Sequence, residues 1–527
     1  MEGTQHSITK TLKRFRSFRY SLILEGIAAG AAAGLVVVAF RLLLEGAGGV
    51  LDWILAYGKA HVWFIPVWLL ILTGVSFLVY LLLRWEPLIS GSGIPQVEGE
   101  MTGQIEQKWW RVLTAKLAGG VLCVGCGLSL GREGPSIQLG AMAAKGFARL
   151  TKRIKTEERL LVTCGAGAGL AAAFNAPFSG VLFCLEEIHK NFSAEVLLSA
   201  MASSITADVI SRNVFGLAPV FSFHVPGMMP LGQYGHVAVL GILLGFLGLV
   251  YNKSIALSQD LYEKIPWRPA RLLLPFLCAG ALGFICPQVL GGGHALAAQV
   301  SAGSFALTAL CALFLIKFVF SMVSFGSGAP GGIFLPLLVL GAMLGAIYYS
   351  VAGQVFAMPD NLLVNFIILG MAGFFSAIVR APITGIVLIS EMTGSFSHLL
   401  TLSIVSLFAY IIPDMLRCRP IYDQLLRRLL SKQKGHAAES GEKVLLDCVI
   451  SHGSAAENRA VSEIIWPDTC LIVSLTRDGQ EFVPKGDTVF HAGDRIVLLC
   501  DESAAPEAHK TLEHQCQQVQ ARKEKET

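Results

Sequence analysis

Apolar residues dominate the chain from about residue 20 to about residue 430, interrupted only by short polar seams. Runs begin near Leu22, Val62, Leu113, Leu160, Val237, Leu272, Ala306, Ile333, Leu362 and Leu402, each roughly 15 to 20 residues long, the length a helix needs to cross a bilayer. Several are shorter or carry glycine in their middle, so helices that stop part-way across are predicted too. The pattern predicts an all-α polytopic membrane region over 21–430, after a basic segment at 1–20. Beyond Leu430 the periodicity changes. A linker rich in Lys, Ser and Gly spans 431–441, a small α+β segment spans 442–514, and a polar tail, expected to be disordered, occupies 515–527. Alternation and turn residues predict strands at Val444–Ile450, Leu471–Thr476 and Asp494–Cys500, and helices at Ala460–Ile465 and from Pro506 to about Glu513. Turns are predicted at Arg477-Asp-Gly479 and Pro484-x-Gly-Asp487.

Three glycine-rich segments break the apolar pattern: Gly91-Ser-Gly-Ile-Pro95, Gly131-Arg-Glu-Gly-Pro135 and Gly326-Ser-Gly-Ala-Pro-Gly-Gly-Ile-Phe334. Inside a bilayer, non-helical backbone survives only where it lines a cavity or is buried in protein. The breaks also recur. Gly165–Leu185 aligns without gaps with Gly370–Ser390 at an offset of about 205 residues, which pairs Glu186 with Glu391. Gly131, Pro135 and Gly140-Ala141 correspond to Gly332, Pro336 and Gly341-Ala342 at an offset of about 201. Two related halves, about 21–215 and 235–415, with broken helices at matching positions predict an inverted-repeat transporter whose substrate sits near the midplane.

Helix starts present unpaired N–H groups and the positive end of the macrodipole, and so bind anions without a full positive charge. Ser92, flanked by Gly91 and Gly93, adds a hydroxyl donor, while Ile333 and Phe334 follow Gly331-Gly332, where bare backbone can approach an ion closely. Close helix packing is the other reading of such glycines. Glu133, beside Gly134 at a predicted helix start, would be stabilised by the same donors as an anion, either as a fixed cap or as a competitor that protonation releases. Its neighbour Arg132 reads as an entrance charge or a salt-bridge partner. Glu186 and Glu187 close an apolar run and read as a solvated helix end, or as one inward and one outward carboxylate, since consecutive helical residues diverge by about 100°. Tyr422 could donate its hydroxyl to an anion or belong to an interfacial belt.

Composition supports this picture. With 54% hydrophobic and 15% charged residues and a mean hydropathy of +0.61, a soluble globular enzyme is excluded. A net charge of +4 is too small for nucleic-acid binding. The basic clusters Lys10–Arg19, Lys145–Arg159 and Arg427–Lys434 flank apolar runs, which places both ends of the membrane region in the cytoplasm. The first run lacks a small-residue cleavage site and reads as a retained helix. Of twelve cysteines, most lie in or beside apolar runs; Cys123-x-x-Cys126 has no second half-site, so no metal and no cofactor are expected.

These segments resemble the CLC chloride channel and transporter family, whose signatures GSGIP, GREGP and GxFxP stand here as Gly91–Pro95, Gly131–Pro135 and Gly332–Pro336. The resemblance implies an inverted-repeat membrane fold, a homodimer with one pore per subunit, and a central anion held by Ser92, Tyr422 and the amides of Ile333 and Phe334. It makes Glu133 the external gating carboxylate. Glu187 becomes the internal proton-transfer acid of exchangers, supported by Glu98 and Lys116, which favours proton–chloride antiport over a passive gated channel. Gln96 and Asn191 depart from residues common in relatives. The segment 442–514 resembles a TrkA C-terminal (RCK-C) domain, implying dimerisation and a small, nucleotide-like regulatory ligand. The absence of a cystathionine-beta-synthase pair implies a prokaryotic plasma-membrane protein.

Overall fold

The computed structural model describes residues 2–190, 194–221, 223, 227–356, 358–359, 361–433, 443–466, 470–501 and 505–517. It contains two compact units. One comprises Met1–Val97, Gln107–Arg153 and Leu160–Leu426; the other comprises Glu98–Glu106, Ile154–Arg159 and Arg427–Thr527.

The first unit is helical, and its helices fall into two matching sets. Helices α1 (Glu2–Ala60), α2 (Phe64–Trp85), α3 (Ile94–Met101), α4 (Trp109–Gly125), α5 (Glu133–Leu150), α6 (Lys155–Phe174), α7 (Pro177–Phe183) and α8 (Ala194–Phe215) form the first half. Their counterparts are α9 (Tyr234–Glu263), α10 (Arg268–Ile285), α11 (His294–Ser301), α12 (Leu307–Gly326), α13 (Phe334–Val355), α14 (Leu363–Val379), α15 (Pro382–Thr393) and α16 (Leu399–Met415). Each helix of the first set thus has its equivalent eight places on, as the repeat predicts, and α17 (Ile421–Gln433) follows, running past the expected boundary at residue 430. Among the described residues, six helical segments are long and apolar enough to span a membrane, and Leu363–Val379, Pro382–Thr393 and Leu399–Met415 are apolar but shorter. The chain is a multi-pass membrane protein of mixed full and partial spans.

Glycine allows the central helices to touch. A Cβ on Gly140 of α5 would lie 2.9 Å from the Cα of Gly169 on α6, and one on Gly341 of α13 would lie 3.0 Å from the Cα of Met371 on α14. The two crossings are repeat-related, and both bring backbone against backbone.

In the second unit, strands β1 (Lys443–Val449), β2 (Leu471–Arg477), β3 (Gln480–Phe482) and β4 (Arg495–Asp501) form an antiparallel sheet in the order β1-β4-β2-β3. Inward Leu446, Cys448, Leu475, Ile496 and Leu498 pack with Leu512 of α18 (Ala505–Leu512). Three details differ from the sequence-based expectation. The helix expected at Ala460–Ile465 is one 3-10 turn, Val461–Glu463. The Arg477-Asp-Gly479 turn, with Asp478 and Gly479 both at positive φ (50° and 78°), is a hairpin that adds the short β3. The tail expected to be disordered begins as a helical turn, Glu513–Gln517, because Cys516 is buried and its carbonyl accepts from Ser451 N at 2.8 Å; residues 518–527, like most of the linker and Asn191, lie outside the described residues. Arg477 clamps Asp494 at 2.6 and 2.8 Å. Burial alone would push the Asp494 carboxyl up, but the guanidinium and the His491 N–H hold it below its usual range.

Candidate functional site

The two GxxxP-type breaks meet backbone to backbone. Gly131 N donates to Gly332 O at 2.7 Å and Gly332 N donates to Gly131 O at 2.8 Å, a two-residue antiparallel bridge between the halves. Directly after it, α5 starts at Glu133 and α13 at Phe334. Two helix N-termini, each carrying unpaired N–H groups, are therefore fixed against one another inside the protein.

A third break closes the group. Gly91 and Gly93 adopt positive φ (65° and 100°), which lets the chain turn sharply on both sides of Ser92 before α3. This loop is pinned to the second half: Gly331 N donates to Gly91 O at 3.0 Å and Ser90 Oγ to Gly328 O at 2.9 Å. Lys116, fully buried on α4, donates to the carbonyls of Ile89 and Gly91 at 2.8 and 2.7 Å. Those carbonyls therefore point at an ammonium. A buried amide cluster supports it: Gln96 donates to Ser90 O, Gln107 to Gln96 O, and Gln138 of α5 to Leu88 O and to Gln107 Oε1.

Glu133 is fully buried, yet its partner is in the other half: Leu335 N, in the first turn of α13, donates to Oε2 at 3.4 Å, and Oε1 has no protein partner. The carboxylate of α5 thus sits on the N-terminus of α13, the position where Ile333 and Phe334 offer their amides. A Cβ added to Gly134 would lie 2.7 Å from Ser92 O, in contact with Ser92 Oγ, and 3.2 Å from Gly332 Cα, so Ser92, Gly134 and Gly332 converge on one point. Ser92 and Tyr422 are buried with hydroxyls that find no protein partner. Tyr422 lies in the first turn of α17 and is fully buried. Phe334 closes the site on one side, packed on Phe375, Phe174 and Phe183 at centroid distances of 4.8, 5.5 and 6.4 Å.

The remaining expected residues divide. Glu187 is buried, whereas Arg132 is partly exposed at the start of α5. Lys116 meets loop carbonyls, as above, and Glu98 is buried on α3.

Four features escaped the sequence reading. Glu186 accepts from Ile383 N, Thr384 N and Thr384 Oγ1 at 3.2, 2.7 and 2.7 Å, capping α15 of the other half. Its repeat mate Glu391 reciprocates, accepting from Phe178 N and Ser179 N at 3.1 and 2.8 Å and from Ser179 Oγ, capping α7. Glu186 is therefore a structural cap, and the solvated-pair reading fails for it. Alanine at either position should lower stability by about 1–2 kcal/mol, the cost of a lost N-cap, with the ratio of transported ions unchanged; thermal denaturation in detergent alongside flux assays checks this. Lys317 repeats Lys116, donating to Val289 O and Gly291 O at 2.8 and 2.7 Å; the offset of the repeat points to it. Arg41 of α1 ties α6 to α8 through Ala172 O and Ser211 Oγ at 2.6 and 2.7 Å. Tyr251 of α9, fully buried against Phe374 and Phe318, has no signature in the sequence.

Residues 73–414 match the voltage gated chloride channel family model, and residues 446–513 match the TrkA-C domain. The chain is 38% identical over 384 residues to the H(+)/Cl(-) exchange transporter ClcA of Vibrio cholerae serotype O1 (strain M66-2), covering 70% of this chain and 82% of that protein. It is 33% identical over 429 residues to the ClcA protein of Salmonella typhimurium, covering 79% and 90%. The crystal structure of a slow cyanobacterial Cl-/H+ antiporter superposes with a TM-score of 0.75 at 29% identity, covering 78% of this chain and 99% of that one. With its paired breaks, its two sets of helices and a family match across most of the membrane region, the chain belongs to the voltage-gated chloride channel (CLC) family and carries a C-terminal TrkA-C domain.

Proposed function

We propose that this protein is a proton-coupled chloride antiporter of a prokaryotic cell membrane, working as a homodimer with cytoplasmic termini. The observation that carries the reading is the Glu133 carboxylate seated on the first turn of α13. A helix N-terminus binds either a carboxylate or a small anion, and the two cannot share it. Ionised, Glu133 fills the place. Once protonated it loses its attraction to the dipole and swings out, and chloride takes the amides of Ile333 and Phe334 with the hydroxyls of Ser92 and Tyr422. Its proton leaves inward by way of Glu187, and the carboxylate returns as the chloride departs. Each cycle therefore moves protons one way and chloride the other. The relatives named as H(+)/Cl(-) exchange transporters support this over passive conduction.

Lys116 supports the Ser92 loop, and Arg132 contributes positive potential at the outer approach. The TrkA-C domain is a regulatory module for a small, nucleotide-like ligand.

Liposomes loaded with chloride, with potassium and valinomycin holding the voltage at zero, test the proposal. An outward chloride gradient should drive proton uptake from a medium at equal pH. A passive chloride pathway has no means to do so, and chloride efflux without proton uptake would make this protein a channel. In the same assay Glu187→Ala should cut proton uptake at least about tenfold, the order expected when a positioned acid-base group is removed, while chloride efflux stays within about threefold. Undiminished proton uptake in that variant would remove Glu187 from the proton path.

A further inference from the structure

We propose that the junction between α2 and α4 binds the phosphate headgroup of an anionic phospholipid, with Arg84, Lys108 and Arg111 as the cations and Trp85 and Trp110 as the aromatic frame.

Helix α2 offers lipid an exposed apolar face that includes Leu70, Phe77, Leu78 and Leu81, and its span ends at Trp85. Trp85 and Trp110 of α4 meet edge to face with ring centroids 6.0 Å apart, and both remain nearly half exposed. Such rings mark the depth of the lipid headgroups. The next residue, Arg111, places its guanidinium 5.2 Å from the Trp110 ring centroid and 5.9 Å from that of Trp85, and cation–π attraction holds it at that depth. Among the described residues no carboxylate forms an ion pair with Arg111, and its buried Nε has no hydrogen-bond partner. Glu86 follows Trp85 but is buried and accepts from its own neighbour Leu88 N at 3.4 Å. Trp109 packs inward, since a Cβ on Gly146 of α5 would lie 2.8 Å from its ring, and this leaves Trp110 and Arg111 to the outer face. Arg84 and Lys108 are exposed, and Lys108 begins α4 without a side-chain bond to its first amides, so the helix start adds positive potential. Three cations and an uncapped helix start thus meet where the lipid-facing surface ends.

The repeat supplies a comparison within the chain. The second half builds the same junction from α10, the 3-10 turn Pro287–Val289 and α12, matching α2, the turn Pro87–Ile89 and α4. Phe284 and Ile285 stand there in place of Arg84 and Trp85, and Ala309, Leu310, Cys311 and Ala312 in place of Lys108 to Arg111. The fold therefore makes this junction without the cations or the paired tryptophans. Because the halves are inverted, the second junction belongs to the opposite face of the membrane, and one leaflet alone receives the cluster. On the orientation proposed above it is the cytoplasmic leaflet, where anionic headgroups meet basic pockets. A phosphate diester offers two acceptor oxygens to a guanidinium fork and a neighbouring ammonium, and its acyl chains lie along the exposed face of α2. A soluble phosphate has no use for that face, so the occupant is a lipid.

The test follows the thermal midpoint of the purified full-length chain in neutral detergent during titration with short-chain phosphatidylglycerol, phosphatidylcholine of the same chain length, or inorganic phosphate. Phosphatidylglycerol should raise the midpoint at lower concentration than phosphatidylcholine does, and inorganic phosphate should leave it unchanged. Arg111→Gln should weaken the apparent affinity for phosphatidylglycerol about fivefold, the contribution of one cation at an anionic lipid surface, with the lipid-free midpoint unchanged. Lys253→Gln, which removes an exposed cation of α9, should not weaken it. If Arg111→Gln lowers the lipid-free midpoint, Lys108→Gln, at an exposed position, carries the same expectation. Equal responses to the two lipids, or the same loss in Lys253→Gln, would reduce the cluster to diffuse positive charge and overturn the proposal. Undiminished phosphatidylglycerol affinity in the Arg111 or Lys108 variant with a native lipid-free midpoint overturns it too. A rise with inorganic phosphate equal to that with phosphatidylglycerol would make this a site for soluble anions and refute the lipid assignment.

Discussion

Glutamine in place of Glu133 should abolish proton transport and leave chloride transport running. The amide keeps the size of the carboxyl group, so the packing around a fully buried side chain is preserved. What it loses is charge and titration. A carboxylate at a partly buried helix N-terminus gains up to about 2 kcal/mol from the dipole, so removing that charge hands the competing anion an advantage of up to about 30-fold, since 1.4 kcal/mol is a factor of ten. Chloride affinity measured by calorimetry should rise accordingly. Proton uptake in the liposome assay should fall below detection, by at least about 100-fold, because no group remains at the bridge that can carry a proton. Persistent coupling in this variant would mean that the proton travels by a route that avoids the Gly131–Gly332 bridge.

Gly134→Ala should damage the site with a single methyl group. The new Cβ would lie 2.7 Å from Ser92 O and 3.2 Å from Gly332 Cα, against backbone on both sides. Neither neighbour can retreat: the Ser92 loop is clamped by Lys116 and Gly331, and Gly332 is locked into the interhalf bridge. Overpacking of this kind costs about 1–3 kcal/mol, and relief requires turning Ser92 away from the site. Chloride affinity should drop at least about tenfold, equivalent to losing one hydrogen bond to a charged group, and the thermal midpoint should fall. Gly353→Ala is the control. Nothing lies within 4 Å of its added methyl, so a helix interior there gains about 0.5–1 kcal/mol. A Gly134→Ala protein with native affinity would show that α5 and the Ser92 loop are less tightly seated than this geometry holds.

Much of the site was readable because it is made of backbone. Glycine and proline announce where helices break, so Gly91–Pro95, Gly131–Pro135 and Gly332–Pro336 marked the three N-terminal loops, and the repeat offset tied two of them together. Side-chain aim was not readable. Glu186 and Glu187 differ by one position in a run of identical character, yet one caps a helix about 200 residues away and the other is buried away from that cap. Lys317 lay in a stretch read as a plain membrane span, although its spacing from Lys116 matches that between Gly131 and Gly332. Tyr251 has no break or repeat beside it, and only the packing of α9 buries its phenol against Phe374 and Phe318. In the second unit, β3 is three residues long, too short to carry a period of two, and Cys516 is anchored by a carbonyl bond no composition rule anticipates.

The exchanged caps give synthesis an order. Phe178 and Ser179 emerge 213 and 212 positions ahead of Glu391, so α7 enters the lipid with its first amides unanswered and the Glu186 carboxylate without its own recipients. An early half of this kind is a poor resident of a bilayer, where every backbone donor seeks a partner. Completion of the second half resolves both mismatches at once. The reciprocal glutamates therefore make the halves interdependent, since neither cap is complete until the second half has been made.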